Sequence, residues 1–113
     1  MNEKEPSRPG SYHRDVLKAL GEQFNDPALK SSTRILILIS LALNKKLRFV
    51  DLMLLTGMGK GSLSNHLDKL EDAGYVQKKS IMTIRGPRIV VEITEKGLAI
   101  YGSFVKLVGQ IRE

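Results

Sequence analysis

The stretch FVDLMLLTGMGKGSLSNHLDKLEDAGY, from Phe49 to Tyr75, holds two short helical patterns on either side of a glycine-rich turn. In the first pattern Leu52, Leu54 and Leu55 form the expected buried side of about two turns, with Asp51 as N-cap. Gly57 supplies a left-handed residue to end it, and Gly57, Met58 and Gly59 make the turn. The second helix starts near Lys60. Its Leu63, Leu67 and Leu70 recur at the i, i+4, i+7 spacing that turns one face inward, and Gly74 stops it. With Leu63 taken as inward and about 100° per residue, Gly61, Ser62, Asn65, Asp68 and Lys69 point away from the core. Ser64 and His66 fall on the flanks.

Downstream, Tyr75 to Ile81 and Ile89 to Thr94 are β-prone. The second run sets Ile89, Val91 and Ile93 against Arg88, Val90 and Glu92. Arg85-Gly86-Pro87-Arg88 between them is a turn signal with a cation on each side, so residues 82–88 read as the tip of a β-hairpin. Thr94 then caps a last helix that runs to about Ile111. Upstream, Tyr12, Val16, Leu17, Leu20 and Phe24 make an apolar helical stripe that Asn25, Asp26 and Pro27 break. Ser31 or Ser32 can cap the next helix, in which Ile35 to Leu43 is apolar around nearly the whole circumference, as in a buried helix. That run is β-branched enough to pass for a buried strand, but its length and serine cap favour helix. Asn44, Lys45 and Lys46 close it, and Leu47 to Phe49 is a short extended stretch. The resulting order, α-α-β-α-α-β-β-α, is mainly helical with a small hairpin wing: a winged helix-turn-helix, with the recognition helix at about 60–73.

The 113 residues suit one domain, here 12–113, after a charged, proline- and glycine-containing segment 1–11 that offers nothing to bury and reads as a mobile tail. The apolar fraction of 42% and charged fraction of 27% are those of a chain that folds. The net charge of +6 and pI near 9.7 favour a polyanionic partner without naming it. Cysteine is absent, which removes disulfides and thiolate metal sites and suits the cytoplasm. There is no signal-peptide core, and the longest apolar stretch, Ile35 to Leu43, is too short to span a bilayer. The two histidines, His13 and His66, lie on different elements, and no catalytic or metal-ligand spacing occurs. We therefore expect no catalytic residues, no metal, no cofactor and no membrane partner.

The exposed face of the second helix suits duplex DNA. The Asn65 amide can both donate and accept, as recognition of adenine N6 and N7 in the major groove requires. Lys60, Ser62 and Ser64 stand at the helix start, where backbone amides and the helix dipole favour a phosphate, and Lys69 would meet another farther along. Arg85 and Arg88 would reach phosphates or a minor groove from the wing. Gly57, Gly59 and Gly61 resemble part of a phosphate loop, but Gly59-Lys60-Gly61-Ser62 has the wrong spacing and follows a leucine-rich helix instead of a strand. Lys45, Lys46 and Arg48 read as solvated cations ending a helix.

Thr33-Arg34-Ile35-Leu36, then Gly61-Ser62-Leu63-Ser64-Asn65-His66-Leu67-Asp68-Lys69-Leu70-Glu71-Asp72-Ala73-Gly74-Tyr75-Val76, and finally Ile93-Thr94-Glu95-Lys96-Gly97, resemble the winged-helix transcriptional regulators of the MarR and ArsR type. The resemblance covers roughly residues 30–102. It implies a dimeric repressor or activator on a palindromic operator, with Ser62, Ser64, Asn65 and His66 on the recognition helix and Arg85 and Arg88 on the wing. Gly59 departs from the serine or threonine cap frequent in such proteins. The cysteine and histidine ligands of metal-sensing members are missing, which leaves an unidentified small organic effector open.

A dimer is also expected from the pattern itself. Leu98, Tyr101, Phe104, Val105 and Val108 give the last helix more apolar surface than one side of a small domain covers. The first helix, through Tyr12, Val16 and Leu20, is the natural partner, within the chain or from a second copy. Two recognition helices would then meet successive major grooves about 34 Å apart. The leading reading is a cytoplasmic, homodimeric repressor specific for a double-stranded DNA sequence. The alternative is a winged helix serving as a protein-interaction module, which would expose aliphatic or aromatic anchors.

Overall fold

A computed structural model of the chain describes residues 14–112, so Tyr12 and the 1–11 segment lie outside the described residues. The elements are α1 (Arg14–Gln23), a 3-10 turn (Pro27–Leu29), α2 (Ser32–Asn44), β1 (Lys46–Arg48), α3 (Phe49–Thr56), α4 (Lys60–Asp72), β2 (Val76–Thr83), β3 (Gly86–Ile93) and α5 (Glu95–Arg112). The order is the one read from the sequence. The three strands form an antiparallel sheet in the order β1-β3-β2.

Local chemistry sets most boundaries. Ser31 caps α2, its hydroxyl accepting from the Arg34 N–H at 3.2 Å. Lys45, at φ 68°, ends that helix by donating its N–H to Leu41 O, and its own carbonyl accepts from Ile93 at the end of β3. Gly57 ends α3 in the left-handed region, at φ 72°. Thr94 starts α5 as expected: its Oγ accepts from the Gly97 N–H at 3.1 Å and donates to Gly74 O at 2.6 Å.

The core lies where α2, α3 and α4 meet the sheet. Ile37, Leu41, Leu52, Leu63, Leu67, Leu70, Val76 and Val91 are fully buried there, each worth about 1.5–3 kcal/mol of burial. Gly97 shows how tightly α5 sits on this body. A Cβ at that position would lie 2.4 Å from Tyr75 O and 2.6 Å from Ile93 Cγ1, so a glycine is required for the close approach.

Four expectations are corrected. Asp51 is not the N-cap of α3. Arg48 holds that place, and Asp51, three residues on, accepts from the Arg48 N–H, the returning half of a capping box. Leu54 is 79% exposed because, with Leu52 as the inward point, it lies about 200° round the helix. Leu55, on the flank of Leu52, is also exposed, near the end of this eight-residue helix. Helix α2 is not buried all round, since Leu36 and Leu43 face outward.

The fourth correction moves the hairpin turn. Thr83 pairs with Gly86, so Ile84 and Arg85 form the tip, while Pro87 and Arg88 belong to β3 opposite Met82 and Ile81. Gly86, at φ 107°, provides the backbone twist that Ile84 and Arg85 do not, neither having positive φ. Pro87 is tolerated because β1 reaches only Val90 to Glu92, leaving that end of β3 without a second neighbour. Farther along β3 both Val90 and Val91 are buried and Ile89 is exposed, so the simple alternation holds only in part.

Candidate nucleic-acid interface

Helix α4 divides as its leucine spacing dictates. Leu63, Leu67 and Leu70 are fully buried, while Lys60, Gly61, Ser62, Asn65, Asp68 and Lys69 are exposed on the other side and Ser64 is half-buried. Gly59 is the N-cap and makes no side-chain cap. The amides of the first turn are thus left for solvent or an anion, with the helix dipole behind them.

The hairpin projects beside this helix start. Between them runs an open groove lined by Arg48, Lys60, Ser64, Arg85 and Arg88, with Phe49, Val50, Met53, Ile81, Ile84 and Ile89 forming its apolar floor and walls. The structure therefore brings Lys60, Ser64, Arg85 and Arg88 to one concavity. Asn65 and Lys69 are on the same helix but are not among the residues lining the groove. Arg48, read from sequence as a solvated helix-end cation, belongs to the groove. Its Nη2 and Nε donate to the two Asp51 carboxylate oxygens at 2.8 and 3.0 Å. The hydrogen bonds from Arg48 hold the Asp51 carboxyl below its usual range. Its place one residue before an apolar helix start was the available signal.

Electrostatics are not spread evenly over the cations. The Lys78 ammonium pairs with Asp68 and lies 3.6 Å from Glu71, while the Lys78 backbone N–H donates to Glu71 Oε2 at 3.0 Å. The hydrogen bond to Asp68 is the main reason its ammonium pKa is raised. Lys79 pairs with Glu92 at 2.8 Å. Among the described residues no ion pair engages Lys60, Lys69, Arg85 or Arg88. Lys60 and Lys69 on α4 and Arg85 and Arg88 on the wing are thus left without a carboxylate partner, whereas Lys78 and Lys79 beside them are neutralised.

His66 lies on the flank of α4, as its spacing from Leu63 predicts, and is half-buried there, with Nδ1 3.0 Å from an Arg34 Nη, so one edge of the ring faces α2. Burial first, and then the charges of Arg34 and Lys69, push its pKa below the ordinary value.

On the terminal helices, α1 and α5 pack together within the chain. Phe24 meets Phe104 edge-on, with ring centroids 5.9 Å apart, and Gln23 hydrogen-bonds Ser103. Val16, Leu20, Tyr101 and Phe104 are half-buried by this pairing, and Leu98, Val105 and Val108 remain exposed. No described helix is long and apolar enough to cross a membrane.

A solvated helix with its opposite face packed on the domain is suited to enter a major groove, and residues 33–111 match the family model described as a winged helix DNA-binding domain. The chain belongs to that family. This winged-helix domain is accordingly a DNA-binding transcriptional regulator, not an enzyme. Its structural neighbours are MarR-family and related regulators. A transcriptional regulator homologue from Pyrococcus horikoshii OT3 is 27% identical and superposes with a TM-score of 0.67, covering 86% of this chain and 97% of that one. The S. aureus MepR–DNA complex is 16% identical, with a TM-score of 0.66 and coverage of 91% and 87%. NadR in complex with 4-hydroxyphenylacetate is 22% identical, with a TM-score of 0.64 and coverage of 94% and 79%. No curated protein matches the sequence. The last two likenesses establish the fold.

Proposed function

We propose that this winged-helix domain acts as a homodimeric repressor that recognises a specific double-stranded DNA sequence in the cytoplasm and blocks transcription by occupying it. The observation that carries the reading is the convergence of Lys60, Ser64, Arg85 and Arg88 on one groove beside the exposed Asn65. Helix α4 enters the major groove, where Asn65 reads a base edge. Lys60, Ser62, Ser64 and Lys69 meet phosphates, and Arg85 follows the wing tip toward the minor groove or its backbone, with Arg88 behind it.

Dimerisation is supported by the incomplete cover of the terminal helices. No described residue of α1 is buried, and Leu17, Leu98, Val105 and Val108 stay exposed after α1 and α5 have packed. A two-fold contact through Val16, Leu20, Leu98, Tyr101, Phe104, Val105 and Val108 would cover that surface and set two recognition helices one helical turn apart. A small organic effector is part of the same reading; the narrow apolar pocket between the α1–α2 body and α5, bounded by Phe24, Leu29, Leu38, Tyr101 and Phe104, would have to widen to admit one.

A rival reading has one observation in its favour. Val50, Leu54 and Leu55 expose an aliphatic face on α3 of the kind a protein-interaction module would present. Fluorescence anisotropy of a labelled random duplex of about three helical turns, titrated at several salt concentrations, separates the two. Binding whose log K falls linearly with log salt supports the regulator. No binding at low salt moves the domain to the protein-interaction reading.

A further inference from the structure

Arg34, on the first turn of α2, has a buried side chain, and no carboxylate among the described residues pairs with it. Its donors go to neutral acceptors instead. Nε donates to Ala28 O at 2.7 Å and Nη2 to Pro27 O at 3.2 Å, while Nη1 lies 3.0 Å from Nδ1 of His66 on α4. A guanidinium carries donors only, so Nδ1 must be the acceptor in this contact. An imidazole that accepts at Nδ1 has lost the proton there and holds its remaining one on Nε2.

Protonating Nδ1 would set two donors against each other in a half-buried place. The charged groups facing the ring are Arg34 from α2 and Lys69 from α4, both cations, and both oppose a second positive charge. The carbonyls of the 3-10 turn nearest this site, those of Pro27 and Ala28, are already taken by Arg34. The ring is therefore held neutral and in one tautomer, on the flank of the helix that carries Asn65 on its exposed face.

We propose that Arg34 is a positioning residue for DNA recognition: by occupying Nδ1 it fixes His66 as the Nε2–H tautomer, so that α4 offers an imidazole donor to a phosphate oxygen of the duplex. This rests on the DNA-reading assignment of α4 made above. It gives a buried arginine a role that the structural task of pinning the Pro27–Leu29 turn does not require. That turn needs the two carbonyl contacts, not the third one to a residue of the recognition helix.

The test is imidazole nitrogen NMR of the full chain, combined with duplex affinity measured by anisotropy. At neutral pH the wild-type spectrum should show His66 with Nδ1 unprotonated and Nε2 protonated, titrating below free histidine. Arg34→Gln should give a tautomer mixture and a raised midpoint. His66→Phe should weaken duplex binding about tenfold, the scale of one hydrogen bond to a charged acceptor. His66→Gln, whose amide can place an N–H near the Nε2 position, should recover most of that loss. A wild-type Nδ1–H tautomer overturns the proposal, and so does His66→Phe binding a duplex as tightly as wild type. If Arg34→Gln fails to fold, the wild-type spectrum and the two His66 variants decide the matter without it. A wild-type chain that binds no duplex at low salt overturns the proposal together with the DNA reading, whereas normal wild-type binding that His66→Phe leaves intact overturns this proposal alone.

Discussion

The hydroxyl of Tyr75, the residue that leads into β2, donates to the carboxylate of Asp26 in the turn before α2, joining parts of the chain 49 positions apart. Asp26 also accepts from the Ala28 N–H at 2.9 Å, and the Lys96 ammonium lies 4.8 Å from the centroid of the Tyr75 ring while donating to Ala73 O. Three segments, the α1–α2 turn, the α4–β2 connection and the start of α5, are thus tied at one tyrosine.

That tie makes stability depend on pH at both extremes. The Tyr75 hydroxyl, then the Ala28 N–H, hold the Asp26 carboxyl below its ordinary 3.8 against an opposing effect of burial. A lowered folded value gives stability that is present above the unfolded value and lost as pH falls through the folded one. Burial, then the hydrogen bond to Asp26, raise Tyr75 to about 12, so its contribution is complete below the ordinary 10.0 and lost as pH climbs toward 12. Tyr75→Phe should cost about 1–2 kcal/mol at neutral pH. In urea melts the gap from wild type should narrow below about pH 4; a gap that stays constant down to pH 3 would contradict the assignment.

Asn65→Ala and the wing variants should fail in different ways. Losing the amide should relax preference at one or two base pairs by about 1–3 kcal/mol. Arg85→Ala and Arg88→Ala should weaken all sequences alike and reduce the salt slope by about 0.9 for each phosphate that is no longer neutralised. Lys78→Ala should leave that slope nearly unchanged, because Asp68 and Glu71 already hold the ammonium. A salt titration of the four variants on one duplex, with a base-substituted panel for Asn65→Ala, checks the set. An unaltered site preference in Asn65→Ala would remove it from base reading.

For the proposed dimer, Val108→Asp or Val105→Asp should give monomers by sedimentation at micromolar concentration, with helical content retained. Phe104 is a poorer probe than its sequence position suggests, since its ring already packs against Phe24 inside the protomer and a charge there would damage the fold itself. An unchanged mass in both valine variants would sink the assignment of this face.

Gly97→Ala should destabilise the domain by about 1–3 kcal/mol, the usual cost of overpacking, because the new methyl meets the Tyr75 carbonyl, a backbone atom that cannot swing aside. Gly61→Ala has open space around it and should melt near wild type. Thermal unfolding of the two variants side by side is sufficient, and equal midpoints would show that α5 can shift to make room.

Helix α4 is readable from the sequence because three leucines at fixed spacing alternate with residues that prefer water, which leaves one phase. Helix α3 is not, because FVDLMLLT is apolar at six of eight positions and gives no preferred phase; only packing selects Leu52 and rejects Leu54. The hairpin is legible but its tip is displaced, since Gly-Pro looks like the centre of a turn when Gly86 in fact closes the turn and opens β3. Arg48 is solvated as its sequence context suggests, but its pairing with Asp51 and its place in the groove are set by the start of α3 and the neighbouring hairpin, which the cation cluster alone does not reveal. The contacts from Arg34 to His66 and from Asp26 to Tyr75 span 32 and 49 residues, and no local pattern announces them.

The three-residue passage from α4 to β2, together with Lys78 clasping Asp68 and Glu71 from the strand side, leaves helix and hairpin little freedom to move apart. The domain therefore carries a stiff reading head, and in the proposed dimer the adjustable quantity would be the span between two such heads. If the proposed dimer forms, control of DNA affinity would work like the setting of a caliper: the jaws would keep their shape, and a change at the terminal helices would alter the gap.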